Sequence, residues 1–85
     1  MRRKRVAGYD VYVKYRLTRD VDMVDVDEAV RSVAKQHHGM SVGSGSDFRH
    51  RDLEFLFRNK SSMKAFVRKM RNVGLKVTVV ELTEE

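Results

Sequence analysis

Eighty-five residues suffice for one small domain with a single, efficiently packed core. The absence of cysteine excludes a disulfide framework, a thiolate zinc site and a cysteine nucleophile, and fits a reducing cytoplasm. Formal net charge is +6, from 18 Lys and Arg against 12 Asp and Glu, but residues 6–85 carry 14 against 12, so much of the excess belongs to Arg2, Arg3, Lys4 and Arg5.

Residues 1–7 read as a basic N-terminal arm and residues 8–85 as a single domain. Over 9–17 apolar and polar residues alternate, which predicts a strand with two different faces. Val11, Val13, Tyr15 and Leu17 face one way; Asp10, Tyr12, Lys14 and Arg16 face the other. An acidic connection then leads to Asp25-Val-Asp-Glu28, whose spacing has capping-box form with Asp25 as N-cap. Val26, Ala29, Val30, Val33 and His37 recur at helical spacing over 26–37, and Gly39 stands where a helix-ending glycine belongs.

Residues 40–46 predict a weak, glycine-loosened strand running into a loop. Residues 52–58 predict a stronger strand, with Leu53, Phe55 and Phe57 inward. Asn59 or Ser61 caps a second helix over about 61–73, buried along Met63, Phe66, Val67, Met70 and Val73 and ended by Gly74. The last strand covers 75–82, with Leu75, Val77 and Val79 on one face.

The order is strand, helix, strand, strand, helix, strand. Right-handed crossovers place both helices on one face of a four-stranded antiparallel sheet. The expected fold is therefore an α+β, ferredoxin-like βαββαβ sandwich, with strands ordered last, first, third, second. No apolar run approaches the roughly 20 residues that span a bilayer, and the basic start is not followed by an apolar signal segment. The expectation is a soluble cytoplasmic protein with no membrane partner.

Strand parity leaves Tyr12, Lys14 and Arg16, then Asp52, Glu54, Leu56 and Arg58, then Lys76, Thr78, Val80 and Leu82 on the uncovered face. Val11-Tyr-Val-Lys-Tyr-Arg-Leu17 resembles the hexamer motif of the RNA-recognition-motif family, whose exposed ring stacks on a base. Element order and size are similar over most of 9–82. The resemblance implies a stacking role for Tyr12 and phosphate contacts for Lys14 and Arg16. It covers the hexamer only: Asp52 and Glu54 stand where that family's octamer motif carries aromatics.

Lys60, Lys64, Arg68 and Arg71 fall near one outward face of the second helix, and with the arm they form a candidate phosphate-tracking stripe; a solvated helix face is the alternative. The loop Gly43–Arg51 offers Arg49, His50 and Arg51 to an anion but lacks the lysine and following helix of a phosphate loop, so a mobile hairpin tip is its plainer reading. His37 and His38 are adjacent on a helix and point about 100° apart, so they do not converge on one ion.

No catalytic constellation is placed by local spacing. These features predict a non-catalytic regulatory binding protein, with no cofactor and no metal, that engages nucleic acid through Arg2, Arg3, Lys4, Arg5, Tyr12, Lys14, Arg16, Lys60, Lys64, Arg68 and Arg71. The alternative is a protein-interaction module of prokaryotic or phage type, an inhibitor, adaptor or homodimer, using an edge strand or Tyr12, Leu56, Val80 and Leu82 on the open face.

Overall fold

A computed structural model describes residues 5–84. In chain order these form β1 (Arg5–Arg16), α1 (Met23–Gln36), β2 (Met40–Ser46), β3 (His50–Phe57), α2 (Lys60–Asn72) and β4 (Lys76–Glu84). The strands pair antiparallel in the order β2-β3-β1-β4, as the two crossovers require. β1 begins at Arg5, so Arg5–Ala7 belong to the sheet and not to an arm: Arg5 lies opposite Glu84 and Val6 opposite Thr83, before an irregularity at Gly8. Residues 1–4 lie outside the described residues.

Alternation along the two central strands builds the core. Tyr9, Val11, Val13 and Tyr15 of β1 and Leu53, Phe55 and Phe57 of β3 are buried on the face that carries both helices. From α2, Met63, Phe66, Val67 and Met70 close over them, and the Phe66 ring centroid lies 5.5 Å from Phe55 and 5.1 Å from Phe57. Val73, expected to extend that stripe, is instead the C-terminal cap of α2 and is exposed. β1 spans about 40 Å at roughly 3.3 Å per residue, while α1 spans about 21 Å. The sheet therefore outruns its helix layer, in keeping with a long dimension of 52 Å.

The helix ends correct three expectations. Asp22, not Asp25, caps α1: its Oδ1 accepts from the backbone N–H of Val24 at 3.0 Å and of Asp25 at 3.2 Å. Asp25 sits in the first turn, where its charge complements the helix dipole. The buried positions of α1 are Asp27, Val30 and Ala34, and Ala29 is exposed; the stripe includes a carboxylate because that carboxylate has partners. At the other end the left-handed residue is His38, with φ of 62°, not Gly39. Gly39 is needed for space, because a Cβ there would come within 3.0 Å of three ring carbons of Phe57. Gly74 does end α2 as expected, with φ of 87° and Leu75 N–H reaching back to the Met70 carbonyl at 3.0 Å.

Candidate functional site

The register sorts the uncovered face into rows. Tyr12 lies between Glu54 and Thr78, Asp10 between Leu56 and Val80, and Lys14 between Asp52 and Lys76. The Tyr12 hydroxyl donates to Asp10 Oδ2 at 2.9 Å and lies 3.4 Å from Glu54 Oε2. The hydrogen bond to Asp10 pushes the Tyr12 phenol up to about 12, and the same aspartate, through hydrogen bonding and then charge, raises the Glu54 carboxyl above its ordinary value. The centre of this face is thus acidic, and Tyr12 is held by two carboxylates. A stacked base there would bring its phosphate against both.

At the C-terminal end of β1 the sign reverses. Lys14 lies opposite Lys76 and Arg16 opposite His50, and with Arg49 they wall an open groove of about 760 Å³. Tyr15, Val21, Val26 and Leu75 give it an apolar floor. Among the described residues, the side chains of Lys14, Arg16, Arg49 and Lys76 have no hydrogen-bonded or ion-paired partner within the chain. Three segments remote in sequence therefore converge here: the end of β1, the start of β3 with its preceding turn, and the α2–β4 connection.

A buried network supports this groove. Asp27 Oδ2 accepts from Arg51 Nη2 at 2.7 Å and Nε at 3.0 Å, while Tyr15 donates its hydroxyl to Asp27 Oδ1 at 2.7 Å. Burial alone would raise the Asp27 carboxyl, but the hydrogen bonds from Arg51 and then Tyr15 outweigh it and hold the group below its usual range. Burial, reinforced by the bond to Asp27, pushes the Tyr15 phenol up to about 12. Arg51 is accordingly committed to Asp27 and is not offered to an anion by the 43–51 loop, whose tip was expected to be mobile. Tyr15 and Arg51 are direct partners across β1 and β3, which ties the groove floor to α1.

The loop itself is short and pinned. Asp47 Oδ1 accepts from the N–H groups of Arg49 and His50, both at 2.7 Å, which lowers the Asp47 carboxyl; the Asp47 N–H bonds the His50 carbonyl at 3.0 Å. Arg49 in turn accepts from Leu17 N–H at 2.7 Å. This turn presents Phe48 with 97% of its surface exposed. Sequence reasoning passed over Phe48, although an aromatic inside a Gly/Ser/Asp turn, outside both strand patterns, is a readable signal.

The stripe on α2 lies where helical spacing put it. Lys60, Lys64, Arg68 and Arg71 are exposed, and Lys64, Arg68 and Arg71 border a second groove of about 550 Å³ over Met63, Val67 and Val79. Arg71 Nη2 donates to the Val77 carbonyl at 3.3 Å, one residue from Lys76, so the stripe and the groove meet at the start of β4. Arg5 sits at the opposite end of β1, and Arg2, Arg3 and Lys4 lie outside the described residues. The apolar candidates keep their place on the open face: Leu56 is half-buried, Val80 and Leu82 are exposed, and Met40 joins them opposite Leu56. His37 has a buried, unpartnered Nε2 beside a cavity of about 240 Å³; burial, then Lys69 and His38, lower its basicity. No grouping of three or more metal-ligating side chains occurs among the described residues, and none of their helices is long and apolar enough to cross a membrane.

This architecture is a ferredoxin-like α+β sandwich. It is similar to the de novo designed protein Foldit4, with TM-score 0.60, 12% identity and coverage of 92% of this chain and 99% of that one. It is also similar to a NIPSNAP family protein with unknown function from Agrobacterium tumefaciens, with TM-score 0.58, 11% identity and coverage of 93% and 91%. At these identities the likeness is one of fold. No protein family matches the chain by sequence, and no curated protein matches it.

Proposed function

We propose that the protein is a non-catalytic nucleic-acid-binding domain of the cytoplasm, with its principal phosphate site in the groove of Lys14, Arg16, Arg49 and Lys76. The observation that carries this reading is the convergence of those four unpaired cations, from three separate segments, around one open groove. Flexible solvated lysines and arginines spread to reduce repulsion. Here the strand register holds Lys14 beside Lys76, with Asp52 on its other side offsetting part of that charge. An anionic backbone resolves that crowding and releases its own counterions on binding. The stripe of Lys64, Arg68 and Arg71 continues the track, and Arg2, Arg3, Lys4 and Arg5 raise the overall positive charge that attracts an anionic ligand.

Fluorescence anisotropy with labelled single- and double-stranded RNA and DNA, at two or more salt concentrations, tests the reading. Four phosphate contacts predict a slope of log K against log salt of roughly −3 for single strands. The charge reversal Lys14→Glu with Lys76→Glu is expected to abolish binding. Absence of binding to every probe at low salt would refute the reading.

A second reading rests on the other half of the open face. Met40, Leu56, Val80 and Leu82 form an apolar patch that no helix covers, which favours a protein contact or a homodimer there. Light scattering of Leu56→Asp and Val80→Asp against the parent decides it: an unchanged oligomeric state and unchanged partner binding refute this use of the face.

A further inference from the structure

We propose that Phe48 is a base-stacking residue, and that the basic groove therefore takes single-stranded rather than duplex nucleic acid; this rests on the nucleic-acid reading above. A phenylalanine buried in a core contributes about 1.5–3 kcal/mol. Phe48 forgoes that contribution, with 97% of its surface in solvent. Its exposure is not an accident of a loose loop. Asp47 Oδ1 takes two backbone N–H groups at 2.7 Å, the turn closes through Asp47 and His50, and Arg49 is tied to Leu17. A pinned backbone leaves only the side chain's own rotation to be fixed when the ring meets a ligand.

The surroundings of Phe48 select the kind of ligand. A hydrophobic anchor for a protein partner works inside a patch that excludes water around it. Phe48 has no such patch around its own turn: Gly43-Ser-Gly-Ser46 and Asp47 precede it, and Arg49 and His50 follow it. A base needs less, one ring face with cations for the adjoining phosphates. Arg49 is the next residue and already walls the groove, with Arg16 opposite His50. In a duplex the base faces are covered by their neighbours, leaving Phe48 nothing to stack on, whereas an unpaired strand offers them.

The test compares a labelled single-stranded 12-mer with its duplex, at one fixed salt concentration, across the parent, Phe48→Ala, Phe48→Trp and Lys14→Glu with Lys76→Glu. Phe48→Ala is expected to weaken single-strand binding by about 5- to 150-fold, the range found for loss of one stacking ring. Its loss on the duplex stays under about twofold, its salt slope keeps the parental value, and Phe48→Trp retains affinity. A 2-aminopurine base in the strand is quenched by the parent and not by Phe48→Ala. If Phe48→Ala leaves single-strand affinity within about twofold, or weakens strand and duplex alike, the stacking role is wrong while the groove stands, provided the double lysine reversal still abolishes binding. If the parent binds neither probe, both proposals fall. Vesicles containing anionic lipid serve as a further arm: Phe48-dependent binding to them without any to the oligonucleotides would assign the ring to a membrane surface and overturn the proposal.

Discussion

Replacing Arg51 by Met isolates the buried network beneath the groove. The variant keeps the aliphatic bulk of the side chain but leaves the Asp27 carboxylate, 4% exposed, with Tyr15 as its one remaining hydrogen-bond donor. Breaking one side of a buried ion pair costs about 3–5 kcal/mol, because the surviving charge stays desolvated. Domains of this size are stable by roughly 4–13 kcal/mol, so the loss is a large share of the total. Guanidinium unfolding followed by circular dichroism should show the midpoint falling by about 1–2 M. The pH dependence gives a second, independent sign. In the parent the folded Asp27 carboxyl lies below its ordinary 3.8, so its stabilisation is complete above that value and is lost as pH falls through the lower, folded one. Without Arg51 the largest lowering influence is gone, only Tyr15 and Arg31 oppose burial, and the folded value is expected to rise above the unfolded one. The native state then binds more protons than the unfolded chain between the two values, so stability falls as pH rises through that window. Other groups contribute equally to parent and variant, so the cost of Arg51→Met should be larger at pH 8 than at pH 5. A cost under about 1 kcal/mol, or one independent of pH, would refute the network as described here.

The two residues after His37, the C-terminal cap of α1, should respond with opposite signs in the same unfolding assay. His38→Gly relieves a left-handed residue, worth about 1–2 kcal/mol, against about 0.4–1 kcal/mol of added unfolded-state freedom, so stability should rise by about 0.5–1 kcal/mol. Gly39→Ala drives a methyl into the Phe57 ring and should cost about 1–3 kcal/mol. Asp10→Asn with Glu54→Gln removes two carboxylates from the centre of the open face; under the nucleic-acid reading it should tighten binding in the anisotropy assay, and it should lower the Tyr12 phenol towards its ordinary 10.0 in a spectroscopic titration.

Element order, sheet order and the two faces were legible because strand parity and helical spacing are local and carry directly into three dimensions. Val11, Phe55 and Phe66 needed only that arithmetic. Asp27 was passed over because carboxylates near a helix start have a ready explanation in capping, and an ion pair between positions 27 and 51 has no local signature. The clue was parity: Arg51 shares the inward face of Leu53, Phe55 and Phe57, and a charged residue there needs a partner. Gly39 was noticed for the wrong reason, since a glycine after a helix usually supplies a left-handed turn. Its steric role against Phe57 depends on a strand eighteen residues away. The groove escaped for the same reason. Lys14, Arg16, Arg49 and Lys76 belong to three segments, and register, which brings Lys14 opposite Lys76, is a property of the assembled sheet.

The sign pattern of the surface restricts where a phosphate backbone can run. Across the sheet it would pass from Lys14 onto Tyr12, Asp10 and Glu54, where each carboxylate within about 4 Å opposes it by roughly 1 kcal/mol even at the dielectric of water. Past Lys76 it meets instead the start of β4, where Arg71 is anchored on the Val77 carbonyl, and then Arg68 and Lys64 one and two turns back along α2. Beyond Lys14, which has Asp52 on its other side, that path follows cations and avoids Tyr12, Asp10 and Glu54. The resemblance to the RNA-recognition motif put the ligand over Tyr12; the charges favour a strand that starts at the Phe48 turn, crosses the groove and leaves along α2. On this route Tyr12 contributes little, and its hydroxyl serves to hold Asp10 and Glu54 together. The same acidic centre, flanked by Leu56, Val80 and Leu82, remains open for a protein partner, so the two proposed uses of the domain occupy different surfaces and do not exclude each other.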